Sequence, residues 1–542
     1  MSKTLVITVF IVLIILSLVR TQNVTVYPAD SFADSIGVNT HWAYPNVYIN
    51  NYTGLKSKLA ESGIRYVRDG TFPNVFLRLN DLYNSLGVKT NLITSRWKSG
   101  PWPQPLDPEQ IDVELNDVKN QTLAAIVSLE APNEYDVSHG PDTDWIGTIK
   151  TYSSSVYAKA KADQLLKNIP IIGPSLTTLE AYQAVGNSDP YIDQGNQHIY
   201  QWTYWPGFSG YDANGTRSIT WYLDELGKLQ SPSGKPVQAT ETGYTNFVDI
   251  GGLSEEADGK YMARIFAEFF RRGIYRTYKY EFVNQAIPGR EGFFGLLRND
   301  LTEKPSFRAV SNLIHIFNDK GPTFLPTPLS YTLSGTTDDV RQILFQKRDG
   351  DYYLMVWLEV SCWNVTQKVD LYPPPLLLSL NLPTENSISN AILYALNNTG
   401  DVNIVNLPIT NNQVIFNATD KISVIKLSSS TMISIARGIY RLLPKNALHS
   451  ALSSNGKRND IAVIREQHWT NINQQWIIEP NKDEFYHIIN RGTSQPLKLN
   501  RYFDCQKWKI EPLPNFYYRV VCQYGDNQLI NESQQWKLEW IT

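Results

Sequence analysis

The stretch Ser128-Leu-Glu-Ala-Pro-Asn-Glu-Tyr-Asp136 closes an apolar run that begins at Leu123. A short apolar run that stops at a proline is typical of a buried parallel strand leading into a loop. Glu134 follows this strand, and Glu241 follows a second one in Pro236-Val-Gln-Ala-Thr-Glu-Thr-Gly-Tyr244. Barrels of alternating strands and helices carry their chemistry at the carboxyl ends of the strands. Two carboxylates there can face each other across a barrel mouth, the minimum equipment for hydrolysing a glycosidic bond.

Short apolar strands and amphipathic helices alternate from Ser35 to Ile316. The pattern predicts eight strands, at 36–40, 64–68, 88–93, 124–129, 170–173, 196–200, 236–240 and 277–282. It predicts helices at 53–62, 75–86, 108–119, 144–166, 178–185, 217–229 and 254–272, with a closing helix at 305–318. Eight such units over about 280 residues are typical of a (β/α)8 TIM barrel. A doubly wound open sheet is the alternative, although no Gly-rich phosphate loop follows the first strand.

Two further sequence patterns follow the Pro-rich segment Gly321-Pro-Thr-Phe-Leu-Pro-Thr-Pro328. Short strands and turns without a helical period predict an antiparallel β-sandwich. From Arg437 onward, Gln-x-Trp units recur roughly 30 residues apart, which indicates a threefold module. The predicted organisation is a signal peptide at 1–22, a barrel at 23–322, a sandwich at 323–430 and the threefold module at 437–542.

The composition of the chain fits a folded protein of several domains. Its 542 residues are 42% hydrophobic and 19% charged, which argues against disorder, and the length alone suggests roughly three domains. A net charge of −3 provides no basic face for nucleic acid. The 14 Trp and 31 Tyr serve either core packing or the stacking of sugar rings. Seven scattered His without metal-ligand spacing predict neither metal nor cofactor, and no Gly-x-Ser-x-Gly elbow supports a serine hydrolase.

The amino terminus predicts secretion. Met1-Ser-Lys3 and the apolar stretch from Leu5 to Val19 fit a secretory signal peptide, with an uncleaved anchor as the alternative. No later segment reaches membrane-spanning length. Glycosylation sequons support an extracellular, glycosylated product and lie at Asn23, Asn51, Asn120, Asn214, Asn364, Asn397, Asn417 and Asn531. Of the three Cys, Cys505 and Cys522 lie close enough in the chain to pair, which leaves Cys362 as a buried thiol.

Asn133-Glu134, His198-Ile-Tyr200 and Glu241 together resemble clan A of the glycoside hydrolases, over about residues 30–320. Gly292-Phe-Phe-Gly-Leu296 is similar to the closing segment of the cellulase-like members. The resemblance implies a TIM-barrel enzyme that cleaves a β-linked glycan with retention of configuration. It also implies that Glu134 is the general acid/base and Glu241 the nucleophile.

The resemblance further implies a set of substrate-binding residues. Asn133 would donate to the sugar 2-hydroxyl, and Arg68 would pair with the nucleophile. Arg65 is the alternative residue for this pairing. An ion pair with Asp69 is the alternative, purely structural role for Arg68. His198 and Tyr200 share one strand face, so Tyr200 can donate to Glu241 while His198 contacts a hydroxyl or orients its neighbour. Tyr280 stands where clan members often carry a stacking Trp. The remaining candidates are aromatic platforms on loops, including Trp42 and Trp97.

The Gln-x-Trp units resemble the ricin-type β-trefoil lectins, in which an Asn shortly before the motif helps to bind sugar hydroxyls. The first and third units carry this arrangement, which implicates Asn471, Gln474, Trp476, Asn531, Gln534 and Trp536. A glycan ligand for this module is therefore expected beside the oligo- or polysaccharide substrate of the barrel. We expect a monomer.

Two consequences can be checked in three dimensions. A general acid must hold its proton at the working pH, so burial or a neighbouring carboxylate should raise the pKa of Glu134. Retention requires the two carboxyl groups to lie about 5–5.5 Å apart, against roughly 6.5–9.5 Å for inversion. A catalytically silent lectin or adhesion protein that keeps the barrel as a scaffold is the alternative function.

Overall fold

A computed structural model describes residues 24–383, 388–429, 438–447, 450–454, 462–480, 485–498, 507–512, 518–524, 528–530 and 535–540. Its first body is a ring of eight parallel strands. They are β1 (Ile36–Asn39), β2 (Tyr66–Gly70), β3 (Lys89–Ile93), β4 (Ile126–Glu130), β5 (Ile171–Ile172), β6 (Gly195–His198), β7 (Val237–Thr242) and β8 (Arg276–Lys279).

The strands follow the order β5-β4-β3-β2-β1-β8-β7-β6. A parallel bridge between Ile172 and Gln194 links the two ends of this sheet, so the ring closes. The predicted TIM barrel is thereby confirmed over the open doubly wound sheet. All eight strands and all eight helices lie within a few residues of their predicted positions.

Helices alternate with the strands and cover the outside of the ring. They are α1 (Tyr52–Ser62), α2 (Pro73–Leu86), α3 (Ile111–Gln121), α4 (Trp145–Ala162), α5 (Leu179–Val185), α6 (Ile219–Trp221, Tyr222–Gly227 and Lys228–Gln230), α7 (Glu255–Arg271) and α8 (Pro305–Phe317). Short helices and turns lie at Ala29–Asp34, Val47–Asn50, Pro108–Gln110, Leu123–Ala125, Tyr135–Ser138, Asp189–Tyr191, Val248–Ile250 and Arg290–Phe293.

Local sequence signals explain where several helices begin and end. α2 starts with Pro73, whose fixed φ suits a first helical turn, and it stops at Gly87, where φ is 70°. α1 likewise stops at Gly63, where φ is 73°. Ser254 precedes α7 and accepts a hydrogen bond from the Ala257 amide at 3.0 Å, so it satisfies one of the free donors of the first turn.

The second body has two layers of antiparallel strands. The six-stranded sheet has the order Val26–Pro28, Val340–Gln346, Tyr352–Leu358, Ser423–Ser428, Asn390–Leu396, Val402–Leu407. A three-stranded sheet consists of Thr332–Ser334, Leu376–Asn381 and Gln413–Ala418, and a small hairpin pairs Trp363–Asn364 with Val369–Asp370. Leu354 and Ile425 from the larger sheet share one core with Leu378 and Phe416 from the smaller one. The predicted antiparallel sandwich is therefore present.

One boundary differs from the prediction. Val26–Pro28, which the sequence assigns to the barrel domain, pairs in parallel with Val340–Gln346 at the edge of the sandwich. The opposite face of that sheet packs on the barrel, and Trp357 and Val424 belong to the same core as the barrel helices. Arg264 of α7 and Glu359, both fully buried, form an ion pair across this junction. The barrel and the sandwich thus share a continuous apolar interface.

The third body is an antiparallel ring of six strands, as far as the structure describes it. The strands Gly438–Pro444, Trp476–Pro480, Tyr486–Asn490, Lys507–Pro512, Tyr518–Tyr524 and Gln535–Trp540 each pair with two others of the set. Gln528–Ile530 extends it at one edge, a hairpin joins Ser450–Ser453 to Val463–Glu466, and a turn lies at Ile472–Gln474. Trp476, Trp508 and Trp536, the tryptophans of the three repeats, meet in its core.

This module contacts the barrel beside α2. The guanidinium of Arg441, which is fully buried, lies 4.2 Å from the ring centre of Trp469. Trp469 in turn covers Gly87 so closely that a Cβ there would meet its ring. Gly87 lies just before β3, so the module sits toward the amino-terminal ends of the strands. It is therefore remote from the edge that carries Glu134 and Glu241.

The structure bears on the predicted compartment at two points. Within the described ranges, no helix combines the length and the apolar character that crossing a membrane requires. Six of the eight sequon asparagines are described and none of them is buried: Asn51, Asn120, Asn214, Asn364, Asn397 and Asn417. The predicted signal peptide, Asn23, Asn531 and Cys505 lie outside the described residues, so these predictions stay predictions. Cys362 is a buried free thiol, as expected.

Candidate active site

A cavity of about 640 Å³ opens at the carboxyl ends of the barrel strands. Residues at the ends of the strands or in the loops after them line the cavity, and all eight strands of the ring contribute. Glu134 reaches it from the loop after β4, and Glu241 from β7 itself. The two carboxylates predicted at strand ends thus lie in one cavity.

Glu134, His198 and Glu241 are in mutual proximity. One side-chain oxygen of each glutamate and one imidazole nitrogen all lie within 4.8 Å of one another. His198 Nδ1 lies 2.7 Å from Glu134 Oε1 and 3.6 Å from Glu241 Oε2. The nearest oxygens of the two carboxyl groups therefore lie no more than 4.8 Å apart, which is closer than the roughly 6.5–9.5 Å of an inverting pair.

Two donors hold the Glu241 carboxylate. Arg68 Nη1 donates to Oε1 at 2.7 Å, and the Tyr200 hydroxyl donates to Oε2 at 2.9 Å. Each oxygen therefore accepts a hydrogen bond from a buried or half-buried partner, which stabilises a negative charge there. Arg65, the alternative to Arg68, lies away from the cavity and pairs with Asp30 at 2.6 Å.

A buried glutamate that the sequence analysis did not single out completes this network. Glu130, the last residue of β4, has no solvent exposure and accepts two hydrogen bonds from Arg68, at 2.7 and 2.8 Å. Asn196 and Thr240 also donate to Glu130, at 3.0 and 3.2 Å. Arg68 therefore bridges Glu130 and Glu241 rather than pairing with Asp69. Side chains alternate between the two faces of a strand, so Glu130 lies on the same face as Ser128, two residues earlier. This spacing was the sequence signal that could have placed Glu130 in the barrel interior.

Asn133 lies beside this network. Its side-chain oxygen accepts hydrogen bonds from Arg68 at 2.6 Å and from Ser175 at 3.2 Å. Because both contacts use the oxygen, the two N–H donors of the Asn133 amide remain available for another partner. Asn133 lines the cavity, so this orientation suits donation to a hydroxyl of a bound molecule.

The pKa of Glu134 differs from the expectation. Burial alone would raise the pKa of Glu134, but the hydrogen bond and charge of His198, with the charge of Arg68, hold it below its ordinary value. Burial also disfavours charge on His198, yet the charge of Glu241 and the bond to Glu134 raise the pKa of the imidazole. Glu134 and His198 therefore hold one proton between them as an ion pair. The sequence analysis could not anticipate this, because it depends on which strand faces which.

No protein-family model matches the chain, and no curated protein matches it by sequence. Among solved structures, a family 39 glycoside hydrolase from Bacteroides cellulosilyticus WH2 is 15% identical, with a TM-score of 0.52 over 75% of this chain and 83% of that one. A monomeric β-xylosidase from Caulobacter crescentus CB15 is 14% identical, with a TM-score of 0.49 over 75% of this chain and 98% of that one. The chain shares the fold of the first of these proteins.

The loop after β8 forms another wall of the cavity. Tyr280 lines it, in the position predicted for a stacking ring. Glu281 points away and is fully buried, where Tyr48 and Gln285 each donate to it at 2.9 Å. Burial, only partly offset by these donors, raises the pKa of Glu281 to about 8. Burial also disfavours the charged form of His41 and lowers the pKa of its imidazole to about 4. This side chain lines the cavity 3.5 Å from Glu281. Glu281 and His41 are therefore both uncharged at pH 7.

Two predicted platforms are not part of the cavity. Trp42 is fully buried, with its ring packed edge-on against Tyr48 and Tyr52, so the prediction that it binds substrate is wrong. Trp97 is half-buried against Trp102 and does not line the cavity, so it offers no stacking surface there. Loop residues after a strand can turn inward or outward, and the sequence pattern does not distinguish the two.

One group of His and carboxylate side chains among the described residues has the spacing of a metal site, and it consists of Glu134, His198 and Glu241 themselves. Arg68 and Tyr200 already donate to Glu241, so the protein itself supplies the positive charge that a metal would bring. The arrangement is that of an acid–base pair beside an oriented carboxylate.

In the carboxy-terminal module, the motif residues that are described support the fold. Trp476 and Trp536 are buried, and Trp476 Nε1 donates to the Leu452 carbonyl at 2.9 Å. Gln474 is buried too and donates to the Glu466 carbonyl at 2.7 Å. Asn471 is half-exposed and caps the adjacent turn through its side-chain oxygen. Asn531 and Gln534 lie outside the described residues.

Proposed function

We propose that the protein is a secreted retaining glycoside hydrolase that cleaves β-linked glycans. The observation that carries the proposal is the proximity of the Glu134 and Glu241 carboxylates, within 4.8 Å, in a cavity at the carboxyl edge of the barrel. Each carboxylate sits in a different environment, one beside an imidazole and the other between Arg68 and Tyr200. A division of labour between an acid and a nucleophile requires such a difference.

In the first step, a Glu241 oxygen attacks the anomeric carbon while Glu134 delivers a proton to the departing oxygen. The bond to the leaving group breaks, a glycosyl ester forms on Glu241, and its carboxylate charge is consumed. Loss of that charge also removes the attraction that raises the pKa of His198. The one proton that His198 and Glu134 share thereby moves from the imidazole to Glu134 and on to the leaving oxygen, so the step ends with a neutral imidazole and a Glu134 carboxylate.

In the second step, Glu134 accepts a proton from water, and the resulting hydroxide attacks the anomeric carbon. The ester breaks, Glu241 returns to a carboxylate held by Arg68 and Tyr200, and the configuration at the anomeric carbon is retained. Asn133, with its amide nitrogen free, can donate to the sugar 2-hydroxyl, a bond that strengthens in the transition state.

The proposal is tested with the full chain and a panel of aryl β-glycosides, including xylosides, glucosides and galactosides. Glu241→Gln should lose turnover by at least about a thousandfold, whereas Glu180→Gln, on the exposed start of α5, should retain it. An activated 2-fluoro glycoside that is turned over should add its sugar mass to the peptide that contains Glu241. Labelling of another peptide, or product of inverted configuration by NMR, would overturn the mechanism.

We further propose that the carboxy-terminal module is a β-trefoil that binds glycans. Its closed ring of six strands and the central meeting of the three repeat tryptophans support this fold. Binding of the full-length Glu241→Gln variant to a glycan array should weaken on Asn471→Ala exchange. Unchanged binding by the Asn471→Ala variant would exclude Asn471 from the glycan-binding site.

The predicted glycosylation is tested separately. Loss of mass on enzymatic deglycosylation of the secreted protein would indicate that sequons are occupied.

A further inference from the structure

Three aromatic side chains stand half-exposed around the cavity, and they are more exposed than the other tyrosines and the phenylalanine that line it. Tyr44 is 41% exposed, Phe72 47% and Trp202 41%. All three line the same cavity as Glu134 and Glu241. Apolar rings gathered around a concave site are typical of a surface that a ligand covers.

Each ring contacts a neighbouring group on one side. Tyr44 stacks on His41, with ring centres 4.4 Å apart and planes 12° from parallel. The guanidinium of Arg290 lies 4.4 Å from the ring centre of Trp202. Phe72 lies so close to the backbone of Gly70 that a Cβ there would come within 2.9 Å of the ring.

These contacts fix the orientation of the rings. A ring held on one side loses little further freedom when a ligand covers the other, so less of the binding energy is spent on ordering it. The apolar C–H face of a pyranose is the natural partner for such a surface. Three oriented rings thus present three flat faces to whatever occupies the cavity.

The rings stand on opposite sides of the barrel. Tyr44 follows β1 and Phe72 follows β2, whereas Trp202 follows β6. In a closed ring of eight strands, β2 and β6 are four positions apart in either direction, and so lie diametrically opposite. Glu134 and Glu241 enter from β4 and β7, between these two sides.

We propose that the substrate is a chain of several pyranose units that crosses the barrel mouth, and that an internal bond of this chain is cleaved. One part of the chain covers Tyr44 and Phe72, the other covers Trp202, and the bond between them lies over the two carboxylates. A cavity of about 640 Å³ has room for more than one sugar ring. The inference rests on the proposed glycosidase function and adds endo action on an oligomer or polymer.

The test uses the full-length protein and β-1,4-linked xylo- and gluco-oligosaccharides and β-1,3-linked gluco-oligosaccharides of two to six units, each labelled at the reducing end. For the series that is hydrolysed, internal cleavage should dominate, and kcat/KM should rise with chain length. Release of single terminal units at a rate independent of length would overturn the inference. If no series is hydrolysed and aryl glycosides are also inert, the proposed function fails instead.

Two single variants separate the sides of the mouth. Trp202→Ala and Phe72→Ala should each lower kcat/KM on the longest substrate about tenfold, and by clearly more than on the disaccharide of the same series, which is too short to cover both sides of the mouth. Tyr372→Ala, which removes an exposed ring on the sandwich, is the matched control and should change neither rate. Equal losses on long and short substrates would indicate a general structural effect and contradict the assignment of the rings.

Discussion

Arg68 links the stability of the barrel to its proposed chemistry, and replacing it separates the two. Its guanidinium contacts Glu130 at 2.7 and 2.8 Å and Glu241 at 2.7 Å, and its side chain is only 3% exposed. Arg68→Met leaves Glu130 as a fully buried carboxylate without a cation. Breaking a buried pair in this way costs about 3–5 kcal/mol.

That cost predicts a measurable thermal shift. At an unfolding entropy of about 2.1 cal/mol/K per residue, each kcal/mol corresponds to about 1 °C in Tm for a chain of 542 residues, so Arg68→Met should lower Tm by roughly 3–5 °C. The double variant Arg68→Met/Glu130→Gln also removes the charge of Glu130 and should recover most of that loss, because the fully buried side chain is then neutral and Glu241 still accepts a hydrogen bond from Tyr200. Asn196 and Thr240 can still bond to the amide that replaces the Glu130 carboxylate.

Activity should behave differently from stability. Both variants lack the hydrogen bond from Arg68 to Glu241, so kcat should fall by about a hundredfold or more in each, with no recovery in the double variant. Differential scanning calorimetry at a fixed scan rate and initial rates on an aryl glycoside provide the two measurements. A double variant as unstable as the single one, or a single variant with normal kcat, would refute the reasoning.

Three further variants test other parts of the structure. Tyr200→Phe removes a 2.9 Å hydrogen bond to Glu241 and should lower kcat about tenfold to a hundredfold with little change in Tm, and an unchanged kcat would remove Tyr200 from the mechanism. Glu281 is buried in its neutral form, with a pKa of about 8, so the stability it contributes is complete below the ordinary carboxyl range and is lost as the pH rises through about 8. Glu281→Gln stays neutral, so Tm measured between pH 5 and 9 should fall less steeply than in the parent protein, and parallel curves would contradict the assignment. Gly37→Ala places a Cβ 2.5 Å from the buried ring of Tyr278 and should cost about 1–3 kcal/mol in urea unfolding, whereas no loss would mean that the ring moves freely.

The ionisation of Glu134 shows why side-chain environments resist prediction from sequence. The sequence analysis expected burial to raise the pKa of Glu134, and burial does act in that direction. His198 outweighs it from 2.7 Å away, although the two residues are far apart in the chain. Charge interactions depend steeply on distance, and distances across a barrel are set by strand order and stagger.

The alternation of strands and helices, the barrel and the position of two carboxylates at strand ends were all readable from the sequence. These features rest on hydrophobic periodicity and on prolines and glycines, which act over a few residues and so leave a local record. The tertiary structure alone decided that Arg68 bridges Glu130 and Glu241, that Trp42 turns into the core, and that Val26–Pro28 joins the sandwich. Those outcomes depend on which of several chemically similar partners lies within reach once the chain has closed. Contacts between residues distant in the chain are made by packing, and a single sequence does not record them.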